Sequence, residues 1–112
     1  MPKEDIEIKM SVMKVIYRAM MPIYYRLNSL LEDLVHKRVM LCEVDRSILL
    51  EYCSCAGALK VLFENYFELY PDSKEGDKIV LPYDEYMTIM SLSKTVELST
   101  RTPMGMLTLR EH

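Results

Sequence analysis

Two runs of apolar residues, spaced alternately by three and four positions, constrain the fold of this chain more than any other feature. Such spacing places a stripe of apolar side chains along one face of an α-helix. The first run consists of Met13, Ile16, Met20, Ile23, Leu27, Leu30 and Leu34. The second run consists of Leu49, Tyr52, Ala56, Leu59, Phe63, Tyr66 and Tyr70. The sequence therefore predicts an all-α fold, either a small helical hairpin or a domain of three to four helices.

Pro22 interrupts the first run. Inside a helix, proline removes one backbone hydrogen bond, and its ring clashes with the preceding turn. We therefore expect either a kink near Met20 or a new helix with Pro22 in its first turn. The helix should end at about Lys37, because His36, Lys37 and Arg38 suit the negative end of the helix dipole.

Short connections and one further helix account for the rest of the chain. We expect a connection at residues 39–44, with Asp45 in the first turn of the second helix. We interpret Gly57, inside that helix, as permitting the close approach of another helix. Residues 71–81 read as a loop in which residues 79–81 are extended, and Pro82 opens a third helix from about Tyr83 to Leu98. The chain is predicted to be a single domain (1–112), frayed at residues 1–5 and ending in a tail at residues 103–112.

Composition argues against several classes of protein. The 112 residues contain no run of 18 apolar residues, so we expect no transmembrane span. We also find no secretory signal, and the three cysteines (Cys42, Cys53 and Cys55) are expected to be reduced, which predicts a cytoplasmic location. Three glycines and two histidines argue against a glycine-rich phosphate loop and against histidine chemistry. We therefore predict no enzyme activity, no metal and no cofactor.

The charged residues are unevenly distributed along the chain. Residues 8–42 carry six basic and two acidic residues, whereas residues 43–97 carry five basic and eleven acidic residues. Such asymmetry is typical of a face that binds a polyanion, of a contact between unlike faces of two subunits, or of an ordinary solvated helix face. The candidate DNA-binding residues are Lys9, Lys14, Arg18, Arg26, Lys37 and Arg38.

The two apolar runs also suggest residues for self-association. Two such stripes on a small chain pack either against each other or against a second subunit, and methionine is frequent on surfaces that bind proteins. The sequence leaves both arrangements open. The candidate residues for an oligomer interface are Met13, Ile16, Met20, Tyr66, Phe67 and Tyr70.

The segment from Leu41 to Cys53 (LCEVDRSILLEYC) carries a resemblance to a known family. It resembles the helix of phage terminase small subunits of the P27 type, in which leucine and threonine precede an aspartate and a later leucine, tyrosine and cysteine. The preceding leucine pattern, the loop before Pro82 and the Thr102–Pro103 pair resemble the same family. The similarity covers about residues 19–109. This chain departs from the pattern at Cys42, Thr100 and Met106, where the family has threonine, glycine and arginine.

The resemblance implies a DNA-packaging component that is not an enzyme. Such proteins form multi-subunit rings, bind double-stranded viral DNA and hand it to the large terminase subunit, in the cytoplasm of the host cell. The net charge of −3 and a pI of about 5.4 lie below the values typical of DNA-binding domains. The alternative is a helical protein–protein adaptor or an antitoxin-like oligomer without a DNA role. A helix-turn-helix regulator is less well supported, because the second helix is acidic where base contacts would lie.

Overall fold

The computed structural model describes residues 4–72, 74 and 76–101, together with the backbone of residues 110 and 111. In this part of the chain, three helices follow one another as α1 (Met10–Val35), α2 (Glu43–Leu69) and α3 (Tyr83–Ser99). Short strands lie between and beside them, namely β1 (Ile6–Lys9), β2 (Val39–Met40), β3 (Lys78–Leu81) and β4 (Arg110–Glu111). The predicted small all-α domain is confirmed, with two small sheets added to it. None of the described helices combines the length and apolar character needed to cross a membrane.

The helix α1 runs without a break through Pro22, so the expected start of a new helix at this residue is wrong. Proline in a helix interior costs about 3 kcal/mol. Pro22 is exposed, while Met20 and Leu27 on either side of it are buried. Burial of this apolar stripe against the rest of the chain therefore outweighs the local cost of the proline.

The end of α1 is a Schellman motif. The Arg38 N–H donates to the Asp33 carbonyl at 2.8 Å, and the Lys37 N–H donates to the Leu34 carbonyl at 3.1 Å. Lys37 has a φ of 60°, the left-handed conformation that glycine normally supplies in this motif. The helix thus ends at Val35, two residues before the predicted position, because the backbone reverses at Lys37.

The two apolar stripes pack against each other within one chain, with α2 between α1 and α3. Six of the seven residues predicted for the second stripe are buried. They are Leu49, Tyr52, Ala56, Leu59, Phe63 and Tyr66. The Tyr17 ring of α1 meets Phe63 and Phe67 edge-on, with ring centroids 6.1 and 5.2 Å apart. Of the α1 stripe, Met13, Met20 and Leu27 are buried and the others are half-buried against this core.

The strand β3 occupies the last four residues of the expected 71–81 loop, so the loop ends before Lys78. Ile79 and Leu81 of β3 are buried, and the strand pairs antiparallel with β1 so that Ile6 lies opposite Leu81. Residues 79–81 are extended, as predicted, but β1 was not expected. Its alternation of isoleucine with charged residues is the period-two signal of a half-buried strand. Only Glu4 and Asp5 of the supposedly frayed end lie among the described residues.

The third helix matches its prediction to within one residue. Ile89 and Val96 are buried, and Asp84 and Glu85 lie in the first turn, where carboxylates interact favourably with free N–H groups. Of the predicted tail at residues 103–112, the structure describes only the backbone of residues 110 and 111. Their strand β4 pairs antiparallel with β2, inside the predicted connection at residues 39–44.

No other helix approaches Gly57 closely within the described chain, contrary to our interpretation. A Cβ atom added there would have no heavy atom within 4 Å. Glycine inside a helix nevertheless lowers its stability relative to alanine. The residue therefore has no packing role within the described part of the subunit.

We expect Gly57→Ala to raise the free energy of unfolding by about 0.5–1 kcal/mol, since alanine is the better helix former and the added methyl meets nothing. Urea unfolding followed by circular dichroism measures this. A loss of stability would show that the Cβ position is occupied by a neighbour in solution.

We expect Lys37→Gly to stabilise the protein by about 1 kcal/mol, because glycine adopts the left-handed conformation without the strain that a side chain causes. The same unfolding measurement tests it. Lys37→Ala is the control, and it should leave the stability nearly unchanged because alanine retains that strain. Equal effects of the two substitutions would contradict the conformational explanation.

Candidate nucleic-acid interface and an apolar groove

Three of the six candidate DNA-binding residues lie on the outer side of α1. Lys14 and Arg18 are four residues apart and therefore lie on the same helix face, whereas Arg26, eight residues beyond Arg18, lies about 80° further around the helix. Arg18 and Arg26 are exposed, and Lys14 is partly exposed. At 1.5 Å per residue, the three cover about 18 Å of helix.

No acidic residue occurs in α1 before Glu32. The cations Lys14, Arg18 and Arg26 therefore have no neutralising partner on their own helix for most of its length. Tyr25 is 62% exposed and shares the face of Lys14 and Arg18, seven residues beyond Arg18. Side chains of these types donate hydrogen bonds to phosphate oxygens. We call the face formed by Lys14, Arg18 and Tyr25 the basic face.

The other three candidates lie apart from the basic face. Lys9 ends β1, opposite Lys78 of β3, before the first turn of α1. Lys37 and Arg38 follow the other end of α1, which is about 39 Å long at 1.5 Å per residue. Arg38 is also paired with Asp33, with 2.8 Å between Nε and Oδ1. The structure thus brings together Lys14 and Arg18, but not Lys9, Arg26, Lys37 and Arg38.

The outer surface of α2 has the opposite charge. Glu43, Glu51 and Glu68 are exposed on this helix. Glu64 accepts two hydrogen bonds from the Lys60 ammonium group, so this pair contributes no net charge. The asymmetry seen along the sequence therefore becomes an asymmetry between two helices of the folded chain.

An apolar groove between α1 and α3 is a feature that the sequence analysis missed. Val15, Ile16, Ala19 and Ile23 form one wall, and Met90 and Val96 belong to the other. Leu59 of α2, fully buried, lies at its floor. The groove has a volume of about 330 Å³ and is partly open. The groove depends on how α3 lies relative to α1. The spacing of apolar residues within each helix does not indicate that arrangement.

One polar atom lies in the wall of this groove. The Ser93 hydroxyl oxygen is buried and forms no hydrogen bond with any described residue. Buried polar atoms usually have a partner, because leaving one unpaired costs about 1–3 kcal/mol. Because the subunit itself closes off this oxygen, a molecule in the groove cannot reach it without a movement of the Ser93 side chain.

Three residues proposed for an oligomer interface are instead buried within the chain. Met13, Met20 and Tyr66 are 1%, 4% and 6% exposed. Most of each side chain therefore packs within its own subunit, although Met20 still lines the apolar groove. Ile16 and Phe67 are half-buried and Tyr70 is 38% exposed, and their role at an interface stays a prediction.

Tyr66 pairs with α3 instead. Burial, followed by a hydrogen bond to Glu85 and the charge of that carboxylate, raises the pKa of the Tyr66 phenol well above its ordinary value. The phenol therefore stays protonated and links α2 to α3 at neutral pH.

Within the described residues, no group of three or more histidine, cysteine or acidic side chains could hold a metal ion. The three cysteines are free thiols. Cys42 is exposed at the start of α2, and the Cys53 thiol donates to the Leu27 carbonyl at 3.6 Å. Burial raises the pKa of the Cys53 and Cys55 thiols, and the charge of Glu51 raises that of Cys55 further.

We expect iodoacetamide to modify Cys42 several-fold faster than Cys53 at pH 8. The thiolate is the reactive form, and a raised pKa lowers its fraction at that pH. Mass spectrometry of peptides taken over time measures both rates, and the same reaction in urea is the control, where the rates should converge. Equal rates in the folded protein would contradict the burial of Cys53.

Comparisons of the chain with protein-family models, curated proteins and solved structures find no match.

Proposed function

We propose that this protein is a DNA-binding component that is not an enzyme and that resembles the phage terminase small subunit. In this proposal it self-associates, binds double-stranded viral DNA through the basic face and presents that DNA to a large terminase subunit in the host cytoplasm. The single observation that carries the DNA-binding part is the outer side of α1, where three cations occur over about 18 Å and no acid precedes Glu32.

Phosphate contacts account for the proposed binding. Lys14 and Arg18 can each approach a backbone phosphate and release its counterions, which gives affinity without sequence preference. The exposed carboxylates Glu43, Glu51 and Glu68 lie on α2 and not on α1, so the net charge of −3 is unevenly distributed over the folded chain. Binding by one subunit is expected to be weak, and an assembly multiplies it by presenting several basic faces to one duplex.

Reversing the charges of the basic face should abolish most DNA binding. We expect Lys14→Glu combined with Arg18→Glu to weaken binding of a double-stranded DNA by at least about tenfold at low salt, and to reduce the slope of log affinity against log salt by about 2. Fluorescence anisotropy with a labelled duplex measures both quantities. Both side chains reach solvent, so the helical content should be unchanged.

The matched control is Arg46→Glu combined with Lys74→Glu, which changes the net charge equally at exposed positions outside α1. This variant should retain most of the affinity. An equal loss in both double variants would contradict a specific basic face. Unchanged binding in the α1 variant would also contradict it.

A second candidate function is a helical protein–protein adaptor or antitoxin-like oligomer without a DNA role. The apolar groove between α1 and α3 favours this candidate, because it is a ready site for an apolar partner. A chain that self-associates but binds no duplex even at low salt would support the adaptor over the DNA-binding component.

A further inference from the structure

The outer face of α2 carries two large exposed apolar residues among its charged side chains. Leu50 is 50% exposed and Val61 is 56% exposed. Between them lie the small residues Ser54 and Ala58, at spacings of four, four and three that keep all four on one face. Small residues between two exposed apolar side chains leave this face free of bulky groups, so another helix or a groove can approach it closely. We call Leu50, Ser54, Ala58 and Val61 the α2 ridge.

The α2 ridge and the apolar groove have matching dimensions. The ridge extends over about 16 Å, since Leu50 and Val61 are eleven residues apart. The α1 wall of the groove extends over about the same length when Val12, 42% exposed on the same helix side, is included with Ile23. The small side chains of the ridge allow its helix backbone to come close to the groove walls.

The two surfaces also have complementary charges. Arg26 on the α1 side and Lys94 and Arg101 on the α3 side lie beside the groove and are exposed. Glu97, also there, is already paired with Arg101, at 3.2 Å. On the other surface, the exposed residues Glu51, Glu68 and Arg46 flank the α2 ridge and leave it a net negative charge. An acidic ridge entering a basic-rimmed groove is attracted and oriented by these charges.

The two surfaces lie on opposite sides of the subunit. Leu59 is at the floor of the groove, and Val61 follows it by two residues, which is about 200° around the helix. The α2 ridge of one subunit therefore cannot occupy the groove of the same subunit. A contact between two different surfaces of identical subunits is heterologous, so it repeats until it closes into a ring or continues as a filament.

From these observations, we infer that the α2 ridge of a second copy of this chain occupies the groove between α1 and α3. The inference rests on the self-association in the proposed function, and it specifies the two surfaces involved. The contact leaves Lys14, Arg18 and Tyr25 uncovered, because they face away from α3.

Two single substitutions and their mixture test this contact. Ala19→Asp places a charge on the groove wall, and Val61→Asp places one on the ridge, both at exposed positions that the fold tolerates. Light scattering should show an assembly for the unaltered chain and a mass of 13.2 kDa for each variant alone. A mixture should form a heterodimer of twice that mass, because each variant retains the surface that the other has lost. This complementation is specific to a heterologous contact.

Ser91→Asp is the matched control, because it adds the same charge to an exposed α3 position away from the groove and should leave the assembly intact. Circular dichroism checks that each variant is folded, and Val15→Asp with Leu50→Asp forms a second pair on the same two surfaces.

An assembly that persists in both single variants, or a mixture that stays monomeric, would overturn this inference while leaving self-association possible. A monomeric unaltered chain at every concentration would overturn both the inference and the self-association in the proposed function. DNA binding is a separate part of the proposed function, and it would still be measured on that monomer.

Discussion

The packing of α1 on α2 is the interaction on which the rest of the structure depends. Tyr17 meets Phe63 and Phe67 in edge-on contacts, and Phe63 is fully buried. Edge-on aromatic pairs add about 0.5–1.5 kcal/mol to the stabilisation that apolar burial already supplies. This contact fixes which side of each helix is internal. It therefore also fixes which side of α1 carries exposed cations and which side of α2 carries exposed carboxylates.

Charge segregation follows from this arrangement rather than from overall composition. The chain has a net charge of −3, a value that argues against DNA binding when considered alone. In the folded chain, Lys14 and Arg18 lie on the outside of α1, while Glu51 and Glu68 lie on α2. The same segregation supports two proposals. Positive potential on one helix suits phosphate groups, and opposite potentials on two sides of one subunit suit a repeating contact between copies.

Helix positions were predictable where one local signal dominated. The start of α3 follows from Pro82 with Asp84 and Glu85, because their effects on a helix N-terminus are local. The path through Pro22 was not predictable in this way, because burial of Met20 and Leu27 competes with the local cost of proline. The strand β1 carried an alternating signal, but a strand of four residues gains stability only from its partner β3.

The site was predictable only in part. Charge counting identified the cations of the basic face but not Tyr25, and it also included Arg38, whose ion pair with Asp33 depends on the reversal of the backbone at Lys37. The spacing of apolar residues identified Met13, Met20 and Tyr66 as contact residues without indicating whether the contact lies within or between subunits. Burial in the folded chain assigns these three to the subunit core.

The sequence by itself determined the all-α class, the apolar face of each long helix and the uneven distribution of charge. These properties depend on spacing and on residue type, both of which act over one or two helix turns. The tertiary structure alone decided that the two stripes pack on each other, that Pro22 stays inside a continuous helix, and that α1 and α3 leave a groove above Leu59. Each of these depends on contacts between residues that are far apart in the chain. The pattern of residues within a short segment does not indicate the energies of such contacts.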